Sequence, residues 1–154
     1  MLTSIWLLKT EPDEFSIDDL QARGKAGEPW NGIRNYQARN FMREMKAKDT
    51  ALIYHSACKT PAIVGYGKVI KTAYPDNEAL NPESKYFDAK STPDNNRWSL
   101  VDIQFIEKWP DPVTLRQLKA NPVLSGMKLI KQPRLSISPV TQAEFDEIMA
   151  LRAR

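Results

Sequence analysis

One cysteine and one histidine, Cys58 and His55, are all that a chain of 154 residues contains of either type. A lone cysteine cannot close an intramolecular disulfide, which fits a reducing compartment and leads to the expectation of a cytoplasmic protein. A zinc centre draws about four ligands, and this pair cannot supply them, so no metal or other cofactor is expected. His55 and Cys58 lie close enough in sequence to pair as base and nucleophile, but no third residue is evident to orient them. Glycine is sparse, with six residues, and it forms no P-loop and no dinucleotide-binding turn. Gly65 and Gly67 fall inside an apolar run, where they read as points of close backbone approach. Long hydrophobic runs are also missing. Residues 1–9 have no charged leader and only a short apolar stretch, which reads as neither a signal peptide nor a membrane span. Glu11, Asp13, Glu14, Asp18 and Asp19 gather around a helix start, where they complement its dipole, and no acid–base pair stands apart from them. The chain is therefore expected not to be an enzyme. The alternative is a small enzyme or small-molecule-binding protein acting on a nucleotide-like or anionic metabolite, with His55 and Cys58 as its working groups.

Hydrophobic residues make up 42% and charged residues 27%, with a net charge of +3. That composition suits a globular fold and permits an anionic partner without requiring one. No repeat, linker or low-complexity tract divides the chain, so residues 1–154 are read as a single domain, expected to be a monomer with no membrane partner. Residues 5–9 predict a strand flanked on both sides, ended by Pro12. Ser16 with Asp19 predicts a capped helix to about Arg23, and residues 37–46 predict a second helix with Ala38, Phe41, Met42 and Met45 on one face. Residues 50–55 and 63–70 predict antiparallel strands, and residues 98–108 predict the strand with the clearest alternation. Thr114 with Gln117 and Thr141 with Glu144 predict two more capped helices, with a short strand over residues 134–137 between them. Residues 74–97 are rich in Pro, Asn, Asp and Ser. They are too long for an idle connection, so a functional flap or ordered surface loop is expected, anchored by Tyr86 and Phe87. The fold class is α+β: a mostly antiparallel sheet that curls like a small barrel, with helices around it.

The densest chemistry lies in residues 29–40. Trp30 and Tyr36 supply rings, Asn31, Asn35 and Gln37 supply amides, and Arg34 and Arg39 supply charge. Trp6 and Trp109 read as core residues. Trp30, in a loop between Pro29 and Asn31, reads instead as a stacking surface, and Trp98, Tyr86 and Tyr54 are candidates for the same aromatic pocket; base stacking on such a ring contributes about 1–3 kcal/mol. Asn31 and Asn35 can donate and accept, as reading a base edge requires, although Asn35 also stands where a helix cap would. His55 and Ser56, at the end of a strand, are candidates to face the same pocket. Arg34, Arg39, Lys59, Arg97 and Arg134 are candidates for contacts with a nucleic-acid backbone. Asn35, Arg39, Arg43 and Lys46 form a polar stripe that reads equally as a solvated face or a row of phosphate contacts.

The sequence resembles the EVE domain family of the PUA-like superfamily. The resemblance is carried by Trp6 through Pro12, Trp30 through Asn40, Tyr54-His55-Ser56, Ile63-Val64-Gly65, Tyr74-Pro75-Asp76, Arg97-Trp98 with Val101-Asp102, and Arg134-Leu135-Ser136 before Pro139-Val140. It implies a PUA-like pseudo-barrel and a pocket for a modified base in DNA or RNA, with a partner protein supplying any downstream effect. The YTH domains, readers of methyladenine in RNA, are similar in architecture. By that likeness Trp30 would wall the pocket, with Lys9 and Thr10 lining it beside Ser56. Two positions depart from the family pattern: Lys48 stands where glycine is usual, and Phe87 stands where tyrosine is common.

Overall fold

A computed structural model describes residues 3–152. Strand β1 (Ile5–Thr10) lies inside the sheet, parallel to β3 (Thr50–His55) and antiparallel to β6 (Ile137–Val140). A long hairpin of β4 (Ala62–Pro75) and β5 (Ser99–Thr114) continues the sheet from β3, and β2 (Glu28–Pro29) pairs with the far side of β5. The order β2-β5-β4-β3-β1-β6 leaves the six-stranded sheet open at both edges. Only the β1–β3 pairing is parallel, as a strand return through helices requires. The expected α+β class with a mostly antiparallel sheet is thus the fold observed.

Both faces of the sheet are buried, which explains the unbroken apolar runs in β1 and β3. Successive side chains alternate sides, so Trp6, Leu8, Ala51 and Ile53 enter one core while Ile5, Leu7, Leu52 and Tyr54 enter the other. Helices α1 (Ile17–Ala22) and α2 (Tyr36–Glu44) bury Ile17, Leu20, Ala38 and Met42 in the first core. The second core receives Leu118 from α3 (Leu115–Ala120), Leu129 from α4 (Lys128–Lys131) and Ile148 from α5 (Gln142–Arg152). Trp6 and Trp109 belong to these cores, as expected. The caps are where the sequence put them: Ser16 with Asp19, Thr114 with Gln117, and Thr141 with Glu144 each exchange reciprocal hydrogen bonds.

The structure departs from expectation where long-range pairing overrides local signals. β4 and β5 run well beyond residues 70 and 108, because their shared ladder reaches Pro75↔Ser99 at one end and Ala62↔Thr114 at the other. β5 survives Pro110 and Pro112 because the ladder jumps from Gly65↔Lys108 to Ile63↔Val113, so neither proline must donate to it. β6 lies three residues later than read, over Ile137–Val140. It tolerates Pro139 because its outer side has no partner strand. Helix α2 stops at Glu44, where Met45 turns extended. The two-residue β2 and the four-residue α4 are too short to leave a periodic signal. A Cβ on Gly67 would stand 2.3 Å from the Gln104 carbonyl oxygen, which is the close strand approach its position implied.

Lys48 occupies the left-handed region with φ 77°. The departure from the family's glycine therefore places a Cβ where it is strained. Lys48→Gly is expected to raise stability by about 0.5–1 kcal/mol, since relief of the strain outweighs glycine's greater unfolded-state entropy. A thermal melt checks this: an increase of about 2–3 °C is expected for a chain of this size.

Candidate functional site

The ends of β1 and β3 open into a cleft of about 650 Å³. Ser56 continues the parallel pairing by donating its N–H to the Thr10 carbonyl, which brings Ser56 beside Thr10. Lys9 donates its backbone N–H to the Ser136 carbonyl, drawing the Pro133–Arg134 loop to the same rim. The opposite wall is the loop after β2, held by the Trp30 N–H on the Val101 carbonyl at 2.8 Å. That loop turns at Gly32, φ 80°, where any side chain would strike the Tyr86 ring at 2.6 Å. Tyr86 thus closes the cleft by lying against bare backbone, and Phe15 meets Trp30 edge to face at 6.0 Å.

Beneath this wall Asp76 is completely buried. Its carboxylate accepts from Gly32 N–H at 2.9 Å, from Arg34 Nη1 at 3.1 Å and from Glu78 N–H at 3.0 Å. Arg34 also donates from Nε to the Tyr86 carbonyl, so one ion pair fastens the Trp30 loop to the long segment that carries Tyr86. A second carboxylate organises that segment. Asp88 accepts a fork from Arg97, the Trp98 indole N–H at 2.8 Å and the Ser91 hydroxyl. Burial alone would raise its pKa, but the donors from Ser91, Arg97, the Lys90 backbone and Trp98 outweigh that and hold it well below the usual carboxylate range. The segment is the surface loop expected of it and Tyr86 anchors it, but Phe87, the other expected anchor, is 43% exposed.

Of the residues singled out in the sequence, Trp30, Asn31, Lys9, Thr10, Ser56, Tyr86 and Arg134 line this one cleft. The others are placed elsewhere. Asn35 caps α2 through Oδ1 to the Ala38 N–H. Trp98 is buried against Asp88 and Tyr36, and Tyr54 is buried in the second core. His55 accepts from the Ile17 N–H through Nε2 at 3.1 Å, and burial lowers its pKa, so it serves as a neutral acceptor for the first turn of α1. Cys58 Sγ points to the His55 carbonyl at 3.7 Å, not to the imidazole. Lys59 lies on a separate surface with Arg116 and Lys119. Arg34, Arg39 and Arg97 pack into the wall behind the cleft, with Arg39 and Arg43 reaching the Arg97 carbonyl.

Trp30 itself is only 7% exposed. It is not the open stacking platform its loop position implied, because the ring packs into the first core. Its polar edge distinguishes it from the other tryptophans. The indole N–H groups of Trp6, Trp98 and Trp109 donate to Asp49, Asp88 and Glu107. That of Trp30 has no partner among the described residues, nor is it a sealed-off orphan. The charges divide similarly. Arg23 pairs with Glu28 and Lys85 with Glu14. Lys9 Nζ donates to the Pro133 carbonyl and lies 5.8 Å from the Tyr54 ring centre, and neither it nor Arg134 has a carboxylate partner among the described residues. Partial burial pushes the Lys9 ammonium below the ordinary lysine range.

Residues 4–151 match the EVE domain. Thymocyte nuclear protein 1 of Rattus norvegicus is 42% identical over 97% of this chain and 74% of its own length. This chain belongs to the EVE domain family. Among solved structures, a Pseudomonas syringae protein matches with TM-score 0.92 and 49% identity over 97% of this chain and 99% of that one. The human THYN1 protein, solved in complex with DNA containing 5-methylcytosine, matches with TM-score 0.95 and 40% identity over 99% of each chain. A YTH domain of Zygosaccharomyces rouxii, at TM-score 0.54 and 13% identity over 97% of this chain and 86% of that one, shares the fold.

In this EVE domain several cleft residues carried no functional signal in the sequence. Phe15 beside α1, Arg23 at its end and Lys85 in the long segment were not singled out, yet all three line the cleft. Only the packing of α1 and the long segment around the Trp30 loop brings them in. Asp76 carries the loop geometry, so Asp76→Ala is expected to cost about 3–5 kcal/mol by stranding Arg34 and two backbone donors, and to lower Tm by about 10 °C or more. The Asp88 clamp has a pH signature of its own. A carboxylate with a depressed folded pKa contributes stability above its ordinary value of 3.8, lost as pH falls through the folded value. The stability difference between wild type and Asp88→Asn, measured by urea denaturation, is thus expected to persist through mildly acidic pH and to shrink as pH falls below about 3.8.

Proposed function

We propose that this chain is a non-enzymatic reader of a modified nucleobase in DNA or RNA, and that the cleft beside Trp30 receives that base. The observation that carries the reading is the one tryptophan indole N–H left without a partner among the described residues, on a residue lining a cleft that Lys9 and Arg134, without carboxylate partners among those residues, also line. A buried tryptophan normally satisfies its N–H, as the other three do here. A site that leaves such a donor open is suited to an acceptor on a ligand. In this reading Trp30 offers a hydrogen bond and Tyr86 a ring face. Asn31, Thr10 and Ser56 meet the polar edge of the base, while Lys9 and Arg134 meet phosphate. Thr10 Oγ1 already donates to the Phe15 carbonyl, so it faces a ligand as an acceptor. The human relative's complex with 5-methylcytosine DNA supports the choice of ligand class. The neutral, helix-capping His55 and the misdirected Cys58 thiol weigh against the enzymatic alternative.

The test is fluorescence anisotropy with oligonucleotides of one sequence, carrying 5-methylcytosine or another methylated base against the unmodified base. Tighter binding of at least one modified strand is expected. Trp30→Phe keeps most of the packing and removes the N–H, and it is expected to reduce discrimination about tenfold, near the upper worth of one hydrogen bond. Equal binding of all strands by the wild type overturns the reading, and unchanged discrimination in Trp30→Phe removes the role given to Trp30. Affinity is further expected to weaken at an alkaline pH below that at which an ordinary lysine loses its charge. Lys9 binds an anion only when protonated, and its lowered pKa makes it lose charge before an ordinary lysine at 10.5 does. Lys9→Gln should bind more weakly at pH 7 and lose that dependence.

A further inference from the structure

Behind the cleft wall runs a continuous stack of rings and one guanidinium. The Arg34 guanidinium carbon lies 5.7 Å from the Tyr86 ring centre and 5.4 Å from that of Trp98. Trp98 in turn stacks on Tyr36 at 5.0 Å with the planes 18° apart. The stack therefore begins at the cleft and ends at Tyr36, which is 49% exposed. Tyr36 is not loose. Its hydroxyl accepts from Arg97 Nη1 at 2.8 Å, and the Arg39 guanidinium carbon lies 4.7 Å from its ring centre. Three guanidiniums thus gather at this end, those of Arg39, Arg43 and Arg97. Only Arg97 has a carboxylate, Asp88. Arg39 donates to the Asn40 side chain and the Arg97 carbonyl, and Arg43 to the Ser99 hydroxyl and the same carbonyl. Neither has an acidic partner among the described residues, and burial, reinforced by the neighbouring charges of Arg43 and Arg97, lowers the Arg39 pKa.

A half-exposed ring fixed in place and surrounded by uncompensated guanidiniums suits a ligand that is flat on one side and anionic on the other. We infer that Tyr36, with Arg39 and Arg43, forms a second nucleotide site, which stacks an unpaired base flanking the one in the cleft and holds its phosphate. This rests on the reading of the cleft as a base-binding site and adds the path of the strand: out of the cleft past Tyr86 and over the start of α2. The site does not distinguish modified from unmodified bases, because a ring face stacks on any base. It contributes affinity, and the cleft contributes selectivity.

The experiment measures binding of labelled single-stranded DNA and RNA oligonucleotides, with and without a central 5-methylcytosine, to wild type, Tyr36→Leu, Tyr36→Phe, Arg39→Gln/Arg43→Gln and Trp30→Phe. Tyr36→Leu is expected to weaken binding about tenfold or more, in line with loss of one stacked base, equally for modified and unmodified strands. Tyr36→Phe should stay within about twofold of wild type, since the ring remains. Replacing the flanking nucleotides by abasic residues should weaken wild-type binding and erase the difference between wild type and Tyr36→Leu. The double arginine variant should lower the slope of log affinity against log salt by about 1–2. The DNA and RNA arms show which backbone the site prefers. Tyr36→Leu binding like wild type overturns the inference while leaving the cleft reading intact if Trp30→Phe still loses discrimination. Competition by an oligo-glutamate peptide as effective as an unmodified strand of equal charge also overturns it, because charge alone would then suffice. A wild type that binds none of the strands overturns both readings.

Discussion

The shape of the cleft depends on one buried carboxylate. Asp76 has no contact with solvent, yet it holds a backbone N–H at Gly32, a guanidinium at Arg34 and a second backbone N–H at Glu78. A buried carboxylate is costly unless such donors surround it; here Gly32 and Arg34 lie in the loop after β2, and Glu78 lies in the single 3-10 turn that Asp76 caps. The consequence is geometric. The loop after β2 and the long segment before β5 would otherwise be two independent surface connections. Joined through Asp76, they become one wall in which Tyr86 lies on Gly32 and Arg34 is wedged between Tyr86 and Trp98. Arg34 Nη2 is buried with no hydrogen-bond partner among the described residues.

Carboxylates play the same part throughout the molecule. Asp49 takes the Trp6 indole and the Ser4 and Lys46 backbone N–H groups, Asp88 takes the Trp98 indole and the Arg97 fork, and Glu107 takes the Trp109 indole and Arg152. Each pins a large ring by its only polar atom, which lets a tryptophan be both a packing unit and an oriented one. Against that pattern Trp30 stands out through its unused N–H rather than through exposure. The distinction matters for specificity. An open ring face welcomes any base, whereas a positioned donor inside a cleft discriminates among edges, because mismatched partners leave it unsatisfied. The exposed ring at Tyr36 and the buried edge at Trp30 are complementary in this respect.

Much of the fold is legible before any coordinates. Three capping boxes announce α1, α3 and α5 because the reciprocal hydrogen bonds are local, spanning three residues. β1 and β3 are legible because strands buried on both faces must be apolar throughout. The far ends of β4 and β5, the offset of β6 and the short β2 are not legible, because their hydrogen bonds depend on a partner strand distant in sequence. The site divides along the same line. Residues at strand ends, Lys9, Thr10 and Ser56, are brought together by β1–β3 pairing and can be anticipated from family likeness. Asn35 and His55 look equally suited to a ligand, but each is taken up by the start of a helix.

The sequence by itself determined which residues carry ring, amide and charge, that they concentrate in residues 29–40, and that the chain belongs among EVE-like folds. The first two are properties of composition and local order and need no partner elsewhere in the chain, while the third rests on resemblance to the family. Only the tertiary structure decided which of those groups remain available. Arg34 is consumed by Asp76, Arg97 by Asp88 and Asn35 by a backbone N–H, while Lys9, Arg134 and the Trp30 indole are left without such partners among the described residues. A side chain's chemistry is written in its type, but whether that chemistry is spent inside the protein depends on which donor or acceptor the fold brings within about 3 Å, and for Arg34 that partner lies 42 residues away in sequence.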